Sequence, residues 1–297
     1  MRITRFLHRP RIAAAAVLAV AVTAAGLAGT VTPASAALTG LYEQPLESGY
    51  DSIQSKTVVV TCPTGTAVGG GATIFNGGGK VAVEAVVPDV SAGTLTVTAK
   101  ETDSYSSDWS VTARAMCAPA PAGLVRIRHW SAKDSTDKTM GTSCPGNKTL
   151  LSVGWDVGDG WGEVLVNETN LIASVGSPAT GVMMSAREDD NYPDDWTLQT
   201  YVVCADPIAG QQWVSGITTS DSSSLKAVNA TCPNGLNATG GAAMAVSLNA
   251  ATQSELSIDS AFSLSVYGGT LNAFQSIAYE EDAISDDWYL ISYALCT

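Results

Sequence analysis

Three stretches of this chain gather carboxylates at one spacing. Glu101, Asp103 and Asp108 recur as Glu188, Asp190 and Asp195, and again as Glu280, Asp282 and Asp287. Each set runs straight into a tryptophan: Trp109, Trp196 or Trp288. Asp189 and Asp194 enlarge the second set, Glu281 and Asp286 the third. Several carboxylates in one loop, with backbone carbonyls beside them, suit a hard cation that takes about six to eight oxygens, so calcium is the cofactor these residues would hold. The competing reading is that the aspartates cap a turn by accepting from nearby backbone amides. EF-hand spacing is absent.

Aromatic rings beside these acids form a second candidate site. Tyr105 and Tyr192 lie inside the acidic loops, and the third loop has Ile284 at that place. Trp155 and Trp161 stand among Gly154, Asp156, Gly158, Asp159, Gly160 and Gly162. Rings next to carboxylates are a usual means of recognising carbohydrate, so Tyr105, Tyr192, Trp155 and Trp161 are the candidate ligand contacts. Trp109, Trp196 and Trp288 read instead as core, because each heads an alternating apolar face that ends in a cysteine.

Nucleophilic catalysis finds little support. His129 is the one histidine beyond the N-terminal segment, and no Gly-x-Ser-x-Gly elbow accompanies it. The runs Gly69–Gly71 and Gly77–Gly79 are followed by no Gly-Lys-Ser/Thr, so they are turns, or strand positions where another backbone comes close. A catalytic constellation is normally assembled once per fold, and this motif occurs three times. The reading is therefore of a binding protein rather than an enzyme, with no catalytic residue assigned.

The elements that must position these residues are themselves repeated. Each loop tryptophan lies eight residues before a cysteine, Cys117, Cys204 or Cys296. Lys56, Lys138 and Lys226 each lie six residues before Cys62, Cys144 and Cys232, and an Asp-Ser pair precedes each lysine (Asp51-Ser52, Asp134-Ser135, Asp221-Ser222). Proline follows every one of those first cysteines. Self-similarity at this period marks a repeat architecture, with units at 37–117, 118–204 and 205–297. Within a unit the apolar period is two: Trp109, Val111, Ala113, Ala115 and Cys117 share one face, as do Leu95, Val97 and Ala99. The acidic phrase is then expected to connect a β-hairpin. Further strands are expected over 80–84, 163–167 and 255–259 and before each Cys-Pro, giving four or five short strands per unit. The fold class is all-β, either tandem sandwiches or one pseudo-threefold body. Units this long for a prism or trefoil leaf favour separate or closely abutting β-domains.

Composition bounds the surroundings. Arg2, Arg5, Arg9 and Arg11 precede an Ala/Val/Leu run, and Ala34-Ser35-Ala36 forms a small-x-small site, so 1–36 reads as a secretory signal peptide. Without those four, 15 − 4 leaves 11 basic residues against 28 acidic ones, a formal charge of −17. That balance opposes nucleic acid and anionic membrane as partners. No later stretch approaches the roughly 20 apolar residues of a membrane span, so membrane insertion is not expected. All six cysteines follow the signal segment, two per repeat, which fits an oxidising compartment. Repeat symmetry favours Cys62–Cys117, Cys144–Cys204 and Cys232–Cys296. The alternative joins Cys117–Cys144, Cys204–Cys232 and Cys62–Cys296.

The order Gly…Asp-Ser…Lys…Cys-Pro-x-Gly…Gly-Gly…Glu-x-Asp…Trp…Cys-Ala resembles the repeat of secreted bacterial proteins common in actinomycetes, a repeat type with no function attached. The resemblance covers most of 50–297 and carries over no catalytic residue. The pattern is also similar to the vitelline membrane outer layer type of β-prism, which has three Cys-Pro-x-Gly repeats but much shorter cysteine spacing. The expected function is a secreted, multivalent binding protein for an extracellular polysaccharide or cell-surface ligand. A protease inhibitor or protein-interaction factor, and a structural envelope protein, are the alternatives.

Overall fold

The computed structural model describes residues 38–174, 176–189, 192–264 and 270–297; the segment read as a signal peptide lies outside them. The first repeat contributes β1 (Tyr42–Glu47), β2 (Ser55–Thr61), β3 (Thr66–Phe75), β4 (Val81–Asp89), β5 (Thr94–Glu101) and β6 (Ser110–Ala118). The second contributes β7 (Val125–Trp130), β8 (Lys138–Ser143), β9 (Thr149–Gly158), β10 (Val164–Ile172), β11 (Gly181–Glu188) and β12 (Thr197–Ala205). The third contributes β13 (Gln212–Ile217), β14 (Leu225–Thr231), β15 (Ala238–Ser247), β16 (Leu256–Leu264), β17 (Ala273–Glu280) and β18 (Trp288–Cys296), with one 3-10 turn at Ala250–Thr252. No helix among the described residues is long and apolar enough to cross a membrane.

The three repeats are not separate domains. Their strands form three antiparallel six-stranded sheets, ordered β1-β6-β3-β16-β17-β14, β13-β18-β15-β10-β11-β8 and β2-β5-β4-β9-β12-β7. Each sheet takes three strands from one repeat and three from another, and the pattern closes cyclically. Of the two expected arrangements this selects the single pseudo-threefold body over the separate or closely abutting domains that unit length favoured, and the described residues from 38 onward form one compact unit. The physical reason lies at the seams: a lone β4 or β16 would expose a backbone edge, and pairing it with the next repeat removes that edge. The seams are short. Ala261 pairs with Ala72, Glu168 with Met244, and Ala85 and Val86 with Asp156 and Trp155.

A second correction concerns the acidic connection. β5 and β6 belong to different sheets, so it is an arch between sheets rather than a hairpin. Leu95, Val97 and Ala99 on β5 and Trp109, Val111 and Ala113 at and along β6 are all buried, facing one core from opposite sides. Alternation reports which face is apolar, not whether two strands lie side by side or face to face. Each disulfide, Cys62–Cys117, Cys144–Cys204 and Cys232–Cys296, staples the two layers of its own repeat. Closing loops of 55, 60 and 64 residues, each contributes about 4 kcal/mol in the chain-entropy picture.

The repeats meet along a pseudo-threefold axis. β3, β9 and β15 touch one another there, as do β4, β10 and β16. Each of these strands carries a one-residue bulge. In the first three strands the extra residue is Val68, Leu151 or Thr239, all fully buried. Gly69, Ser152 and Gly240 follow at equivalent register, where a Cβ on Gly69 would run into the Thr239 carbonyl oxygen. The glycine-rich stretch is therefore a central strand, not a turn, and its glycines admit the neighbouring backbone. In the other three strands the bulged residues are polar: Glu84, Asn167 and Asp259.

Candidate functional site

Every acidic arch lies at the same end of the axis, opposite the disulfides. Within each arch the motif residues first hold one another. Trp109, Trp196 and Trp288 are fully buried and donate their indole N–H to Glu101, Glu188 and Glu280 at 3.0, 2.7 and 2.8 Å. The ammonium groups of Lys56, Lys138 and Lys226 sit 4.6, 4.1 and 4.9 Å from the tryptophan ring centroids. Each lysine also pairs with the Asp-Ser aspartate, Asp51, Asp134 or Asp221. That aspartate accepts from the backbone N–H two residues on, closing a small turn. Lysine and neighbouring donors hold Asp134 down at about 2, and lower Asp51 and Asp221 in the same way. Asp, Lys, Glu and Trp recur together because they form this structural knot.

The nine residues expected to bind metal thus separate. Glu101, Glu188 and Glu280 are committed to tryptophan. Asp108, Asp195 and Asp287 are exposed. Asp190 lies outside the described residues. Asp103 and Asp282 converge, with Glu281, on the Lys80 ammonium at 3.0, 3.2 and 3.0 Å. Partial burial opposes the charge on Lys80, but these carboxylates outweigh it and raise its pKa. Among the described residues, the carboxylate groups close enough to share an ion are Asp103–Glu281–Asp282 and Asp189–Glu255–Glu281, each with ligand atoms within 4.8 Å. Both cross between repeats; neither is the Glu-x-Asp set of a single arch.

These groupings belong to one ring around the axis. Lys80, Glu163 and Glu255 immediately precede β4, β10 and β16; Thr102, Asp189 and Glu281 immediately follow β5, β11 and β17. The same backbone bond ties each pair, Thr102 to Lys80, Asp189 to Glu163 and Glu281 to Glu255, at 3.2, 2.8 and 2.7 Å. Thr102 Oγ1 also donates to Glu281 at 2.8 Å. Below the ring lie the bulged Glu84, Asn167 and Asp259. Glu84 is paired with Lys100 at 2.7 Å and accepts from Gly162 N–H. Burial raises the Glu84 carboxyl, and Lys100 works against that rise. Asn167 donates to the Gln253 carbonyl while its own side-chain oxygen has no partner. Asp259 is 2% exposed, and neither carboxylate oxygen meets a donor at bonding geometry. Burial drives its pKa far above the carboxylate range; the Ser257 side chain opposes that and the Glu281 charge adds to it. Sequence reasoning passed over Lys80, Glu255, Asn167 and Asp259 as strand limits. The available signal was a polar residue opening and another closing each apolar run at 80–84, 163–167 and 255–259.

The candidate aromatics also separate. Trp155 is 4% exposed and donates to the Val83 carbonyl, so it is core at a sheet seam, contrary to its expected exposure. Tyr105 and Tyr192 pack partly against the core and donate their hydroxyls to the carbonyls of Asn76 and Asp159 at 2.7 and 2.6 Å. They clamp equivalent turns. Trp161 differs: its side chain is 62% exposed and its φ is +53°. The matching turn of the first repeat has Gly78 there, at φ +58°. Trp161, Tyr192, Lys133, Asp159, Asp194 and Asp195 line an open depression of about 320 Å³. A larger one of about 580 Å³ reaches Thr102 and Glu163 on the axial ring. No known protein family matches this chain, and no curated protein shows significant similarity to it.

Proposed function

We propose that this chain is a secreted, non-enzymatic binding protein whose arch end engages an extracellular polysaccharide, with the turn of the second repeat as its main subsite. The observation that carries the reading is Trp161. A bulky residue held in the left-handed region costs about 1–2 kcal/mol relative to glycine, and this ring recovers little of that by burial. Its repeat mate shows that glycine suits the turn. The ring lies beside carboxylates and Lys133 in a shallow polar depression, which fits stacking on a sugar with hydroxyls bonded at the rim. Lys100 lies 4.5 Å from the ring centroid and helps fix it.

Three disulfides fit an oxidising environment outside the cell, and the N-terminal pattern of basic, apolar and small residues supports secretion. The multivalent version of the reading is narrower than the repeat implies. Trp161 has glycine in the first repeat and the 3-10 segment in the third, so avidity from three like sites has less support than one dominant site. The test is co-sedimentation of the oxidised chain with insoluble polysaccharides and bacterial cell walls, comparing wild type with Trp161→Gly. We expect the variant to lose retention while melting at the same temperature or slightly higher. Equal retention of both forms would sink the reading and turn attention to protein partners.

A further inference from the structure

The turns that lead into β4 and β10 share one skeleton. Asn76 and Asp159 stand in the left-handed region at φ +60° and +63°, and Tyr105 and Tyr192 donate to their carbonyls. Register makes Tyr50 and Lys133 counterparts, each just before the aspartate bridged to the buried tryptophan; Phe75 and Gly158 are counterparts on β3 and β9. Tyr50 and Lys133 engage the same turn residue: Lys133 donates to Asp159 at 2.8 Å, and Asn76 Nδ2 donates to the Tyr50 hydroxyl at 3.3 Å. The repeats differ in where they place exposed rings. The second has Trp161 at the third position of the turn, while the first has Gly78 there and carries Tyr50 and Phe75 at the flank. These two rings lie 5.9 Å apart between centroids at 50°, and are 53% and 63% exposed. Asn76 also donates to the Asp108 carbonyl at 2.7 Å, which fixes the residue that holds Tyr50. The fold requires neither ring, since the third repeat has Ser220 and Val246 at their places. Two touching rings at a braced turn form a patch, unlike the single apolar residues scattered over an ordinary surface.

On the polysaccharide reading of the arch end, on which this assignment rests, we propose that Tyr50 and Phe75 form a second stacking platform. The first and second repeats then hold one uncharged glycan chain between them, with Trp161 as the other platform. Tilted rings that are exposed and held in place suit the apolar faces of successive sugars. The ground between the platforms is polar and recessed. The 580 Å³ depression is lined by Ser52, two residues past Tyr50, and by Tyr105, which bonds to the Asn76 turn; it reaches Glu163, two residues past Trp161. The Trp161 turn itself abuts the first arch, since a Cβ on Gly162 would lie 2.2 Å from the Glu101 carbonyl oxygen. Hydroxyls and carboxylates on this ground can bond sugar hydroxyls. Exposed Asp103, Asp108, Asp194 and Asp195 repel a polyanion, which makes the chain an uncharged one. The third repeat has Ile284 in its arch and no ring at either platform position, so it takes no part. Two weak platforms on one polymer reinforce each other through effective concentration, so affinity should grow with chain length.

The test is co-sedimentation of the oxidised chain with cellulose, chitin and starch granules, with polygalacturonate as the anionic comparison. Calorimetry with soluble fragments of the retaining glycan, from about two to about ten sugars long, then measures the length dependence. We expect retention on an uncharged glycan, with affinity rising at least about tenfold from the shortest fragment to the longest. Tyr50→Ser with Phe75→Val, which copies the third repeat, should melt as wild type does. It should bind the longest fragment roughly tenfold more weakly, and the gain with length should disappear. Phe75→Tyr keeps the ring and should bind as wild type. If the double variant binds as wild type while Trp161→Gly does not, the second platform is wrong and the single subsite stands. If the double variant weakens binding and Trp161→Gly does not, the pairing of platforms is overturned along with the role of Trp161. Retention on polygalacturonate alone, or on none of these glycans, overturns the uncharged chain; bacterial cell walls then still decide the broader reading.

Discussion

At the disulfide end of the axis, Val68, Leu151, Met116, Val203 and Ile208 close on one another in an apolar cluster. At the arch end, Lys80, Glu163 and Glu255 before β4, β10 and β16 and Thr102, Asp189 and Glu281 after β5, β11 and β17 surround the axis, over Glu84, Asn167 and Asp259. The backbone is common to both ends; the bulged residues and their neighbours decide the difference. The bulged residues there are all buried, two apolar and the third, Thr239, donating its hydroxyl to the Leu151 and Leu295 carbonyls, so threefold likeness is tolerated there. A ring of identical carboxylates would repel itself, so the arch end departs from symmetry. Lysine and threonine have entered the first repeat, asparagine the second. The less symmetric end is where chemistry can be specific, and the more symmetric end is where stability is kept.

The comparison can be broken or sharpened by perturbing each end. Replacing both Cys62 and Cys117 by alanine should cost about 4 kcal/mol. That would lower the melting temperature by about 10 °C, equally at low and high salt. A salt-dependent loss would join the two ends energetically and defeat the contrast. Gly69→Ala on the axis should cost about 2–3 kcal/mol, because Thr239 and Ser152 leave its Cβ no room. Denaturant melts of that variant should show no dependence on salt. At the arch end, Glu280→Ala leaves the Trp288 indole N–H buried without its acceptor, a loss of about 2 kcal/mol by chemical denaturation.

The smallest expected effect is one of pH. Asp51, Asp134 and Asp221 have folded pKa values below their unfolded ones, with Asp134 at about 2. Their contribution is therefore complete above about pH 4 and lost as pH falls toward about 2. Melting temperature against pH should decline through that window. Changing Lys56, Lys138 and Lys226 together to methionine should flatten the decline; a decline of unchanged depth would remove the knots as its cause.

Much of the fold was readable from particular residues. Trp109 to Cys117 announced β6 through its alternation, and two cysteines per repeat gave the pairing by symmetry. The repeat also named the knot residues, though not their purpose: Glu101 read as a ligand because acceptor and ligand carboxylates look alike in sequence. β3 and β15 were hidden because glycine leaves no side-chain period. β1, β7 and β13 were hidden because their half-buried edge positions alternate weakly.

By itself the sequence determined the period and the all-β class, and symmetry favoured the disulfide partners found. These follow from local spacing, which survives whatever the repeats do to one another. Only the tertiary structure decided that sheets cross repeat boundaries, that the acidic loops are arches, and that Asp189, Glu255 and Glu281 meet. Those facts depend on which backbone edge finds which partner. Edge pairing is set by bulges and close approaches across the axis, between residues on the order of a hundred positions apart.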